Sequence, residues 1–196
     1  MPDVDPATLS KPELRRSMRA ALHAVPADEM QSRSKSLLHH LTIDDRWLAE
    51  GGVVALFGGL PEEPDLLPLV AWLHQRNARA VFFAVSGTEL VPYEVRSLRD
   101  LRRGTLGVWE PVIDPARSVA PADLTTILTP ALAYGQSDGS RIGRGAGYYD
   151  RLFGAADVKA KRIGIAFDLQ VVPHIPTESH DARVDAIVTE SGWTRF

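Results

Sequence analysis

The run Arg141-Ile142-Gly143-Arg144-Gly145-Ala146-Gly147-Tyr148-Tyr149-Asp150 holds three glycines at alternate positions, two interleaved arginines and a closing aspartate. Glycine tolerates positive φ and has no Cβ to keep a ligand at a distance, so neighbouring N–H groups can converge on an anion. A helix starting after Gly147 adds the unsatisfied donors of its first turn. Arg141 and Arg144 can neutralise phosphate oxygens, while Asp150 can hold a magnesium ion or orient a side chain. These are the parts a triphosphate requires. The run is not a Walker A loop, because no Gly-Lys-Ser/Thr follows, and its glycine spacing and late position do not suit a dinucleotide fingerprint. A glycine-rich connection, with Tyr148 and Tyr149 entering the core of the next helix, explains the spacing equally well.

Other chemistry-bearing residues are more ambiguous. Lys11 and Arg15 lie four apart on one helix face and can reach a phosphate, although a solvated basic face shared with Arg16 and Arg19 is the default reading. Glu62, Glu63 and Asp65 can bind the amino groups of a heterocycle, or cap a following helix, which is the default. Arg96, Arg99, Arg102 and Arg103 lack interleaved aromatics and read as a solvated face. Glu178, His180, Asp181 and Asp185 cluster near the end. His39, His40 and His174 have no partners at zinc-site spacing. Asp150 with Asp181 instead offers hard oxygen donors suited to magnesium. No Gly-x-Ser-x-Gly elbow is present, and with zero Cys the chain has no disulfide, thiolate zinc site or cysteine nucleophile.

The elements that must position these residues read as one α/β domain over 1–196. Residues 8–50 are expected to form N-terminal helices packed on the core. Ser10 is the N-cap of the first, Glu13 its capping-box partner, and the second runs from Asp28 to Leu41. Val53 to Phe57 is a short apolar run that predicts a buried strand. A helix follows to Arg76, then a second strand over Ala80 to Val85, which is the pattern of a right-handed βαβ unit. Further strands are expected at Leu90 to Val95, Leu124 to Leu128, Arg162 to Ala166 and Ala186 to Val188. This alternation predicts an αβα sandwich with a mostly parallel sheet, with chemistry in the loops after Phe57, Leu128 and Phe167.

Composition narrows the class. The chain has 196 residues, 44% hydrophobic and 24% charged, with a formal net charge of −3. That is globular composition with no global attraction for nucleic acid or an acidic membrane. The longest apolar run, Ala80 to Val85, is far short of the ~20 residues that span a bilayer. The polar start from Met1 to Lys11, with Pro2 and Pro6, does not read as a signal peptide. A cytoplasmic protein acting on small molecules, monomeric or weakly dimeric, is expected.

Taken together, several segments resemble the 5-formyltetrahydrofolate cyclo-ligase (5,10-methenyltetrahydrofolate synthetase) family. They are Lys11-Pro12-Glu13-Leu14-Arg15, Glu63-Pro64-Asp65, Trp109-Glu110-Pro111, Thr129 to Tyr134 with the glycine run, and Glu178 to Asp181 with Val184-Asp185. They occur in family order from Lys11 to Thr189. The resemblance implies a three-layer α/β sandwich related to sugar-phosphate isomerases and CoA transferases. It also implies an ATP- and magnesium-dependent reaction. The formyl oxygen of 5-formyltetrahydrofolate attacks the γ-phosphate, N10 closes the ring, and ADP and phosphate are released. Lys11, Arg15 and Arg141, Ile142, Gly143, Arg144, Gly145, Ala146, Gly147, Tyr148 and Tyr149 would then contact ATP. Arg144 to Tyr148 would also face the formyl group, with Arg144 and Tyr148 as the catalytic pair. Asp150 and Asp181 would hold magnesium, and Phe57, Gly58 and Glu63 would bind the pterin. The chain departs from the family pattern at Ala146 (usually Gly or Lys), Ala84 (Pro) and Leu66 (Thr), and lacks a Met near Leu90. An enzyme acting on another amide-like substrate, or a nucleotide-binding module without catalysis, are the other readings open at this point.

Overall fold

The computed structural model describes residues 9–104, 107–178 and 181–196. The first eight residues, Ser179 and His180 therefore lie outside the described residues. Among the described residues there are four α-helices, α1 (Lys11–His23), α2 (Ala27–Ile43), α3 (Pro68–His74) and α4 (Tyr148–Gly154). The main sheet is built from β1 (Val53–Leu56), β2 (Arg79–Ser86), β3 (Glu89–Glu94), β6 (Thr126–Pro130), β9 (Lys161–Ile165), β11 (Ala186–Thr189) and β12 (Gly192–Arg195). Two small sheets come from β4 (Leu101–Arg103) with β5 (Trp109–Pro111), and from β7 (Ala133–Gly135), β8 (Arg141–Ile142) and β10 (Val171–Val172).

The seven strands lie in the order β12-β11-β9-β6-β1-β2-β3. All inner pairings are parallel, whereas β3 and β12 return antiparallel on the two edges. Alternation along the strands creates two apolar faces. Val54, Leu56, Phe82, Leu128 and Ile163 share a cluster with Leu37 and Leu41 of α2 and Leu69 and Leu73 of α3. Val53, Ala55, Val81 and Ile127 pack instead with Leu152 and Phe153 of α4 and with Val119 and Leu124. Helices on both faces give the expected three layers, and every strand named from the apolar runs is present.

The first helix forms where the capping pattern places it. Glu13 Oε2 accepts the backbone N–H of Ser10 at 3.0 Å, satisfying a donor that the helix itself leaves open. Leu14, Met18 and Leu22 recur every four residues and are all buried. Unlike α2, α1 does not cover the main sheet. Its apolar face packs on Leu132, Ile142, Phe167, Val172 and Ile175, around the small β10-β7-β8 sheet. Burying each such side chain contributes about 1.5–3 kcal/mol.

β1 pairs with β2 on one side and with β6 on the other. The chain winds in opposite directions from this point, which leaves a crevice beyond the carboxyl ends of β1 and β6. The segment after β1 carries Glu62 and Glu63, and the segment after β6 leads into the glycine run.

Candidate active site

That crevice holds a cleft of about 490 Å³, lined by the whole glycine run together with Lys11, Arg15, Glu63, Pro130, Glu178 and Asp181. Sixteen residues were expected from the sequence to contact ligand, and all but Phe57 and Gly58 line it. Those two line a second cleft of about 360 Å³ with Leu60, Leu66, Arg103 and Trp109. Glu63 lines both.

Gly145 and Gly147 have φ of +111° and +68°, a backbone region that L side chains rarely adopt. Gly147 is the N-cap of α4. That helix has only seven residues, so the expected contribution of its dipole is small beside the loop's own N–H groups and guanidinium groups.

Three cations, each paired with one or two carboxylates, define the electrostatics. Arg144 donates from Nε to Glu63 Oε1 at 3.1 Å and from Nη2 to Glu62 Oε1 at 3.1 Å. The Glu63 side chain is 9% exposed. Burial raises its pKa above the ordinary value, opposed by the Leu60 N–H bond and by the charge of Arg144. Arg141 is buried and donates from Nη2 to Asp150 Oδ1 at 2.7 Å. Its Nε is buried with no hydrogen-bond partner, so the cation retains an unmet donor. Lys11 Nζ bonds Asp181 Oδ2 at 2.6 Å and Glu178 Oε1 at 2.8 Å. Burial works against the Lys11 charge, but the two carboxylates outweigh it and hold its pKa above the ordinary lysine value. Tyr149 packs edge-on to Phe83, and burial pushes its phenol up, so it stays protonated at neutral pH.

Several default readings are corrected by this geometry. Lys11 and Arg15 are not a solvated face, since both enter the cleft, and Arg15 Nε donates to the Gly143 carbonyl at 3.0 Å. Asp65 does receive the Leu67 N–H at 3.0 Å beside α3, but Glu62 and Glu63 face Arg144. Within the basic run Arg96 pairs with Glu94, whereas Arg103 lies 4.1 Å over the Trp109 ring and lines the second cleft. In the sequence Trp109 stands out only as part of the Trp109-Glu110-Pro111 match. Its place in the cleft depends on β4 and β5 pairing, which strands of three residues do not advertise.

A magnesium site can be tested against the donor set. Asp150 and Asp181 both line the first cleft and offer only oxygen ligands, each already beside a cation. No group of three His, Asp or Glu residues able to hold a metal occurs among the described residues. Two carboxylates suit magnesium when phosphate oxygens and water complete its shell. The residues fit a nucleotide-borne magnesium rather than a resident ion.

Comparison with known proteins agrees with the fold. The sequence profile of the 5-formyltetrahydrofolate cyclo-ligase family matches residues 7–190. The 5-formyltetrahydrofolate cyclo-ligase of Mycolicibacterium smegmatis is 30% identical over 192 residues, covering 92% of this chain and 93% of its own. That of Escherichia coli K12 is 32% identical over 143 residues, 70% of this chain and 78% of its own. The solution structure of Aquifex aeolicus 5,10-methenyltetrahydrofolate synthetase superposes with a TM-score of 0.79 at 29% identity, covering 95% of this chain and 93% of the other. A Mycoplasma pneumoniae synthetase, at 19% identity and a TM-score of 0.74, shares the fold.

Proposed function

The chain belongs to the 5-formyltetrahydrofolate cyclo-ligase family and catalyses the ATP-dependent conversion of 5-formyltetrahydrofolate to 5,10-methenyltetrahydrofolate; from that premise we propose how its two clefts divide the reaction. The first cleft takes the triphosphate. Backbone N–H groups of residues 143–147 and the Arg141 and Arg144 guanidiniums meet the phosphate oxygens, and Lys11 and Arg15 of α1 line the same cleft. The unpartnered Nε of Arg141 supports this assignment, because an incoming anion supplies the acceptor it lacks. The second cleft takes the pterin, with Phe57 and Gly58 as its walls and Glu63 accepting N–H groups of the ring.

The observation that carries the reading is the contact between Arg144 and Glu63, which lies where the two clefts meet. A formyl group on a pterin held by Glu63 is thereby brought to the phosphoryl group held by Arg144. The formyl oxygen displaces ADP at the γ-phosphorus. N10 then attacks the formyl carbon and loses its proton, and the C–O bond breaks with the electron pair leaving on phosphate, which carries the proton away. An amide-like oxygen leaves poorly until it is phosphorylated, so the protein has mainly to align two substrates and neutralise charge. The N–H donors of Arg144 not taken by Glu62 and Glu63 meet the transferring phosphoryl group, and Tyr148 lines the same cleft. Asp150 and Asp181, which line the same cleft, would hold a magnesium ion carried by the nucleotide, and that ion would supply further neutralisation of the phosphate charge. No covalent enzyme intermediate is required.

The same reading carries a cytoplasmic location and a monomer or weak dimer, the latter open to sedimentation analysis. No helix of the described residues is long and apolar enough to cross a membrane. The experiment that tests the division of labour is an absorbance assay of methenyl formation, with ATP and folate varied separately. Glu63→Gln should raise KM for the folate more than for ATP, and the opposite order would mean the clefts are assigned the wrong way round.

A further inference from the structure

Three carbonyls of the glycine run each receive a hydrogen bond from an arginine elsewhere in the chain. Arg15 Nε reaches Gly143 O at 3.0 Å, Arg19 Nη2 reaches Arg144 O at 3.2 Å, and Arg151 Nη2 reaches Ala146 O at 3.0 Å. Arg15 faces the cleft, but Arg19 and Arg151 do not line it. Arg151 has further anchors. Its Nε and Nη2 donate to Thr88 O at 2.9 and 2.7 Å, in the turn joining β2 to β3, and its guanidinium lies 5.3 Å from the Tyr148 ring. It also occupies the space beside Gly147, where an added Cβ would come within 2.9 Å of Arg151 Nη1.

Peptide planes next to glycine rotate with little steric resistance, so the bonds made by their carbonyls set their direction. In a planar trans peptide the C=O of one residue and the N–H of the next point opposite ways. Holding Arg144 O on Arg19 therefore turns the Gly145 N–H away from α1. Holding Ala146 O on Arg151 likewise turns the Gly147 N–H away from the β2–β3 turn. Both guanidiniums sit behind the loop, where their own charge meets carbonyl oxygens rather than a ligand.

We propose that Arg151 and Arg19 are positioning residues that clamp the glycine run from behind, fixing its peptide planes so that the N–H groups of Gly145 and Gly147 are pre-aimed at the phosphates. The proposal rests on the reading that this run grips the triphosphate. Arg151 is the stronger arm, because it ties the loop to the main sheet through the turn after β2, while Arg19 ties it to α1.

The test measures Arg151→Ala, Arg151→Lys and Arg19→Ala beside the parent. The readouts are calorimetric Kd for AMP-PNP, Kd for 5-formyltetrahydrofolate alone, steady-state turnover and Tm. Arg151→Ala should weaken AMP-PNP binding about tenfold and lower kcat about 10–100-fold, with folate binding held within about twofold. Arg151→Lys, which can hold one carbonyl but not two, should fall between, and Arg19→Ala should weaken AMP-PNP binding about threefold. Parent-like AMP-PNP affinity in Arg151→Ala would overturn the proposal, as would parallel loss of both ligands with a lowered Tm. If Arg151→Ala does not fold, Arg19→Ala decides, since Arg19 lies on an exposed helix face and an unchanged Kd there refutes the clamp. Failure of the parent itself to bind AMP-PNP would instead remove the reading of the cleft, and the clamp with it.

Discussion

Arg144 is the residue through which the two clefts communicate, since its guanidinium answers Glu62 and Glu63 and it lies in the run to which we assign the phosphates. Arg144→Ala should cut kcat/KM about 10²–10³-fold in the absorbance assay through loss of charge stabilisation at the transferring phosphoryl group, and unchanged kcat/KM would remove that role. Glu63 carries a stability signature as well. Its pKa is raised by burial, so its contribution is fully present below the ordinary carboxylate value and is lost as pH rises through the folded value. The Glu63→Gln variant lacks this titration, so its Tm relative to the parent should climb as pH rises from the ordinary carboxylate value through the raised folded value. A constant Tm difference across that range would contradict the shift. Asp150 has two tasks that one substitution separates. Asp150→Asn should destabilise the fold by about 1–2 kcal/mol, because buried Arg141 loses its charged partner. It should also move the magnesium titration to higher concentration. A change in stability alone would leave Asp150 as the partner of Arg141 and nothing more.

At the scale of elements, the segment after β1 is held by the β4–β5 pair. Gly58 O accepts the Trp109 N–H at 3.0 Å, and a Cβ on Gly58 would lie 1.8 Å from Trp109 O. Gly58→Ala must therefore push β5 away from β1. Denaturant unfolding should show a loss of about 1–3 kcal/mol, accompanied by a higher KM for the folate substrate than for ATP relative to the parent. This approach was not legible in the sequence. Runs such as Val53 to Leu56 or Ala80 to Val85 announce a buried strand because every residue is apolar, and the spacing of Leu14, Met18 and Leu22 announces a helix face. Strands of two or three residues, such as β5, β7 and β8, have no such texture, and their pairing is decided by distant neighbours. The glycine run shows the same limit within the site. The proposal that it binds phosphate follows from residue types, but the hands that hold it, Arg19 and Arg151, come from α1 and α4 and read singly as surface charges.

For the molecule as a whole, the cleft draws together Lys11 near one end of the chain and Asp181 near the other. Leu14 is 1% exposed and packs on residues around the small sheet. Leu14→Ala should lower stability by about 2–5 kcal/mol and also weaken nucleotide binding, since α1 carries both Lys11 and Arg15. Equal nucleotide affinity in that variant would show that α1 stays seated without its anchor.

The placement of α1 has a consequence for synthesis. Apart from Met30 and its neighbours, the surface that receives the helix extends from Leu132 to Ile175, so most of the partners of its apolar stripe are synthesised long after it. Such distant pairing slows folding. It also makes nucleotide recognition one of the last properties a newly made molecule acquires, and a ligand that binds only this finished state draws late folding events toward completion by mass action.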